Sequence, residues 1–219
     1  MDNKLRMRFS KTGKAKYISH LDMTAVMRRA LLRCGAMLKY SEGFNPHPYI
    51  SVALPLPIGC GSLCELMDFA VVDAASADIQ PEAISAVLPD GLEILEIYRP
   101  ENKFKDIAWV GLRGALYYDG GRPADIAEKL TARFEAAGII ITKRTKRGTT
   151  DIDIAPYIRE IEFYEDNGLM MSAKVSAQDP TINADNLLGA LDGEYSALLP
   201  DFALFTRTEV FDGDMGEFR

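Results

Sequence analysis

The chain has 219 residues, of which 47% are apolar, enough to fill one large domain or two small ones. No run of about 18 apolar residues occurs, which excludes a membrane-crossing helix on sequence grounds. The first residues, MDNKLRMRFSK, lack the apolar centre of a signal peptide, so the sequence predicts a cytoplasmic protein that meets no membrane.

The net charge of −7 is unevenly spread. Residues 1–50 hold ten Lys and Arg against three acids, and the remainder holds 15 against 29. A basic first quarter on an acidic protein predicts a positive face. A second basic knot is TKRTKRG at 142–148. Cys34, Cys60 and Cys64 are an odd set without a secretory signal, which points to reduced thiols. Cys60 and Cys64 form Cys-x3-Cys with no third or fourth ligand nearby, so structural thiols are expected and no metal site is assigned.

In chain order, LRMRFSK at 5–11 alternates Leu5, Met7 and Phe9 with Arg6 and Arg8. That period predicts a half-buried strand with a basic outer face. SHLDMTAVMRRALLRCG at 19–35 reads as a helix, with Ser19 and Asp22 spaced as a capping box and Gly35 at its end. Met23, Val26, Met27, Ala30, Leu31 and Cys34 form its buried stripe; Arg28, Arg29 and Arg33 lie off it. AMLKY at 36–40, YISVALPLPIG at 49–59 and SLCELMDFAVVD at 62–73 read as extended. IQPEAISAVLPDG at 79–91 reads as a helix and LEILEIYRP at 92–100 as a strand. The second half repeats this order. It has a strand at 107–119, a helix at 122–138, the strand IIITKRT and the long loop KRGTTDIDIAPY. A hairpin around Asn167-Gly168, a helix at 182–195 capped by Asn183 and a last strand follow. The expected fold class is α+β, two tandem ferredoxin-like βαββαβ units with antiparallel sheets, at 1–100 and 107–219.

Two features hold chemistry. His20 lies in the first turn of the first helix, where the dipole disfavours a charged ring. His47 lies in SEGFNPHP, where Pro46 and Pro48 push Asn45 and His47 toward extended backbone and Gly43 permits a sharp turn. Phe44 offers a stacking face, and Ser41 and Asn45 offer hydrogen bonds. The plainer alternative is a rigid connector.

YISHLDMTAVMRRAL, then YSEGFNPHPYISVALPLPIG, then ELMDF closely resemble an uncharacterised bacterial family linked to radical S-adenosylmethionine (SAM) proteins. In that family this domain of unknown function is fused to a radical SAM protein or encoded beside one. The resemblance is specific over residues 6–68, through Tyr17, Ser19, His20, Asp22, Arg28, Ala30, Ser41, Gly43, Phe44, Asn45, Pro46, His47, Pro48, Pro55, Gly59, Glu65 and Asp68, and looser in RTKRGTTDIDIAPYI. It implies a radical SAM enzyme as partner. The chain has neither the three-cysteine motif nor a Gly-x-Gly-x-x-Gly loop, so no cofactor is expected and the chain is expected to be an accessory or binding protein rather than the radical enzyme.

Three functions follow as expectations. The first is a module that binds ribosomal or transfer RNA, with Arg6, Arg8, Tyr17, Ser19, His20, Arg28, Arg29, Ser41, Phe44, Asn45, His47, Lys143, Arg144, Lys146 and Arg147 in contact with RNA or a partner. The second is a metal-independent RNA-processing endonuclease with His20 and His47 as the acid–base pair. The third is a protein-docking scaffold that uses the SEGFNPHP loop. The first and third combine into the favoured expectation, an accessory that presents RNA or a ribosome-associated substrate to its partner. A metal site from His20, His47 and Glu65 or Asp68 requires the two motifs to converge. The sharpest structural expectation is that SEGFNPHP lies opposite the start of the first helix.

Overall fold

The computed structural model describes residues 3–73, 78–145 and 148–219. The chain divides into two compact units, Met1–Asp106 with Arg219, and Ile107–Phe218. It is a mixed α+β protein with a mostly antiparallel sheet and few helices.

The first unit runs β1 (Lys4–Lys11), α1 (His20–Arg33), β2 (Ile50–Val52), β3 (Gly61–Ala70), α2 (Pro81–Ser85) and β4 (Leu92–Tyr98). Its strands lie in the order β4-β1-β3-β2. Leu5, Met7 and Phe9 point from β1 into a core shared with Met67 and Phe69 of β3 and Ile94 of β4. The stripe Met23, Met27, Ala30 and Leu31 of α1 closes that core, with Val26 and Cys34 partly buried at its margin. Ser19 caps α1, accepting from the Asp22 N–H at 3.1 Å, and its hydroxyl donates to the Asp22 carboxylate at 2.7 Å.

The other side of β1 is not the open basic face that alternation predicts. Arg6 is 0% exposed. Its Nε and Nη2 donate to the two carboxylate oxygens of Asp68, the residue opposite it on β3, at 2.6 and 3.0 Å. Its Nη2 also donates to the Asn102 carbonyl at 2.9 Å, and the Phe104 ring lies 4.4 Å from the guanidinium. Period 2 identifies which residues share a side, but here the segment after β4 covers that side. Gly91 fixes the turn into β4. Its φ is +89°, and a Cβ there would stand 2.4 Å from the Thr12 carbonyl.

Several elements are shorter than their sequence patterns. The 36–40 segment contributes only isolated bridges at Leu38 and Tyr40, and β2 holds three residues before Leu54 turns to φ +44°. The helix expected over 79–91 is α2 alone, because Pro89 and Gly91 leave no room for a further turn.

The second unit runs β5 (Trp109–Tyr117), α3 (Ile126–Glu135), β6 (Ile140–Thr145), β7 (Gly148–Asp153), β8 (Ile158–Glu165), β9 (Leu169–Ser176), α4 (Ala184–Gly189) and β10 (Phe202–Phe211). The order β10-β5-β9-β8 makes its main sheet, and β6 and β7 form a separate hairpin. β7 corrects the long loop expected over 146–157. Its mostly exposed residues carry no apolar alternation that sequence could register. Asn167 and Gly168 lie in the three-residue turn Asp166–Gly168 between β8 and β9, at positive φ of 51° and 132°. Asn183 caps α4 through a reciprocal pair with Asn186.

Candidate functional site

SEGFNPHP is a closed loop built on the C-terminal end of β3. The Lys39 N–H donates to the Ala70 carbonyl, and the Tyr49 N–H donates to the Lys39 carbonyl. Above these, the Ser41 N–H donates to the His47 carbonyl at 2.8 Å. The Ser41 hydroxyl accepts from the His47 N–H at 3.1 Å and lies 2.9 Å from His47 Nδ1. Nδ1 also lies 3.4 Å from the Asn45 carbonyl oxygen. Gly43, at φ +122°, allows the tip to turn. One polar residue thus ties both ends of the loop. Asn45 and His47 are exposed, and Phe44 is 112% exposed.

The loop is not opposite the start of α1. Lys11 pairs with Ser62 at the beginning of β3, and its Nζ donates to the Ile18 carbonyl at 2.9 Å, two residues before α1 begins. The far end of α1 leads through Ala36 to Leu38, which bridges Val71 just beyond β3. The start of α1 and the loop therefore mark opposite ends of β3. Ser62 and Ala70 are about 26 Å apart at about 3.3 Å per residue. His20 and His47 are not brought together, and neither the acid–base pair nor the shared metal set of the sequence expectation is assembled. Among the described residues, no group of three or more His, Cys, Asp or Glu is placed to hold a metal.

At the β3 start, polar groups are buried. Lys11 is 3% exposed and Glu65 2%. Burial pushes the Lys11 ammonium below its ordinary pKa, against the opposing pull of Glu65 and then Cys60. Ser19 and His20 are half-buried nearby in sequence, and His20 Nδ1 is shielded from solvent without a hydrogen-bond partner among the described residues. Tyr17, Leu21 and Ile58 are exposed.

The remaining candidates separate by environment. Arg6 is committed to Asp68 and is withdrawn from any contact surface. Arg8 is half-buried on the same side of β1. Arg28 is half-buried on α1, while Arg29 and Arg33 are exposed there. No ion-pair partner for these three exists among the described residues. In the second unit, Lys143 Nζ donates to the Thr181 carbonyl at 3.0 Å. Lys146, Arg147 and the side chain of Arg144 lie outside the described residues. Sequence reading missed Lys39 and Tyr49. The Lys39 ammonium sits 5.8 Å from the centre of the half-exposed Tyr49 ring. The signal was that each lies five residues from Phe44, which has meaning only once 39 and 49 are known to pair.

A family model described as an uncharacterized protein conserved in bacteria (DUF2344) matches residues 4–184. The chain belongs to this family. Both ends of β3 fall within the matched region, and the family description assigns no chemistry to either. No curated protein sequence matches the chain. Among solved structures, a chain in the crystal structure of a Cbf5-Nop10-Gar1 complex matches with a TM-score of 0.51 and 12% identity, over 94% of this chain and 48% of that one. A chain in an H/ACA RNP bound to a substrate RNA containing 2'-deoxyuridine matches with a TM-score of 0.51 and 14% identity, over 97% and 49%. The chain spans about half the length of these two. At such identities the likeness concerns the fold alone.

Proposed function

We propose that this DUF2344 protein is a non-catalytic RNA-binding accessory that presents RNA or a ribosome-associated substrate to a radical SAM partner. The observation that carries the RNA part is the arginine face of α1. Arg28, Arg29 and Arg33 are without ion-pair partners among the described residues, and no acid occurs between Asp22 and Glu42. On a chain of net charge −7, this stretch holds four cations and no acid in sequence, which suits phosphate. The partner rests on the resemblance of the YISHLD and SEGFNPHP segments to proteins found beside radical SAM enzymes. We also read the two units as tandem ferredoxin-like repeats. The strand order fourth-first-third-second in the first unit supports this, as does the same order in the second once β6 and β7 count as an insertion.

The test is a salt titration of binding to ribosomal and transfer RNA. Affinity falls as salt rises, and Ala at Arg28, Arg29 and Arg33 together flattens the log–log slope by about 2. Absence of salt-dependent binding defeats the RNA reading. Co-purification with a co-expressed radical SAM protein tests the partner separately.

A further inference from the structure

Resting on that RNA reading, we propose that the protein selects unpaired RNA, with Phe44 and Tyr49 stacking on splayed-out bases while Lys39 and the arginines of α1 hold the adjoining backbone. Phe44 is fully exposed, so neither face of its ring is used inside the protein. It is not a loose side chain on a loose loop. The Ser41–His47 hydrogen bonds and the Lys39–Tyr49 backbone pair fix the loop before any ligand arrives. A pre-ordered ring loses little freedom on contact. Tyr49 lies at the base of the same loop, half exposed, with the Lys39 ammonium over its ring. An aromatic face with an adjacent cation matches a base next to its phosphate.

Duplex RNA cannot use such rings. Its bases are stacked on one another, and its deep, narrow major groove admits no side chain. Only unpaired bases offer free π faces. The cations lie within reach of the same strand, because the chain from the last turn of α1, with Arg33, runs directly to the base of the loop. Between Arg33 and Tyr49 the sequence holds a single acid, Glu42. Strand selection thus belongs to the loop, and charge attraction to α1.

The experiment measures fluorescence anisotropy of one labelled RNA sequence, presented as a single strand and as its duplex, against the full chain. The wild type binds the single strand more tightly than the duplex. Phe44→Ala weakens the single strand by about tenfold and the duplex by much less. Phe44→Trp restores single-strand affinity, and the new indole is quenched on binding. Matching thermal melts show that the tip variants fold normally. Equal affinity for both forms, unchanged by Phe44→Ala, overturns the stacking proposal while the RNA reading stands. Absence of salt-dependent binding to either form overturns both. Another protein that co-purifies through Phe44, with single-strand affinity unaffected by Phe44→Ala, assigns the tip to a protein partner and also overturns the proposal.

Discussion

Arg6 and Arg29 belong to the same basic stretch of sequence, yet they occupy opposite surroundings. Arg6 is buried against Asp68 and Phe104, while Arg29 faces water on α1 without an ion-pair partner among the described residues. The first holds the sheet together and is unavailable to a ligand. The second contributes little to the fold and is available. A cluster of positive charge in sequence is therefore two populations in space, and only one of them can form a binding face.

The strongest way to break this comparison is Asp68→Ala. It leaves the Arg6 guanidinium buried without its carboxylate and is expected to cost about 3–5 kcal/mol in urea denaturation. A cost below about 1 kcal/mol contradicts a buried ion pair. Tyr118 extends the test to the second unit. Its hydroxyl donates to the Leu198 carbonyl at 2.8 Å, and burial pushes its pKa up to about 12 despite Arg122. The folded state keeps this proton after the unfolded chain has lost it near pH 10, so stability falls as pH rises from about 10 through 12. Because solvent reaches part of the residue and screens it, the fall is about 1 kcal/mol. Tyr118→Phe removes it, which denaturation at alkaline pH checks.

Lys11 carries the opposite sign. Its folded pKa is depressed by burial, so its destabilising contribution is present below that pKa and fades as pH rises toward the unfolded value. The two groups oppose each other at high pH, and Tyr118→Phe separates them. On the loop, Ser41→Ala removes both contacts with His47 and costs about 1 kcal/mol, read as faster amide exchange at His47. The smallest effect closes the comparison. Ala at Arg28, Arg29 and Arg33 together changes stability by no more than about 0.5 kcal/mol per site, while lowering RNA affinity. A large destabilisation there would place these arginines with Arg6.

Much of the first unit was legible. The apolar stripe of α1 and its Ser19 cap follow from helical spacing and from local hydrogen bonding, both of which act within a few residues. Leu5, Met7 and Phe9 were readable as an inward set for the same reason. Arg6 was misread because the cover, Asn102 and Phe104, comes about a hundred residues later. β7 was missed because its strand is held by backbone pairing with β6, not by an apolar period. The loop was recognised as unusual from Gly43, Pro46 and Pro48, but its position was not. Helical and extended segments have directions that sequence gives, yet which end of a sheet a loop reaches depends on pairing partners.

By itself, the sequence determined an α+β protein with a capped basic helix, a restrained loop and no membrane-crossing helix. These follow from periodicity, turn chemistry and charge, which are local quantities. Tertiary structure alone decided that the two histidines stand at opposite ends of β3, that Arg6 is buried while Arg29 and Arg33 are not, and that Lys39 and Tyr49 meet at the base of the loop. Each of those facts depends on strand register and on which distant segment covers a face, and no local rule contains either.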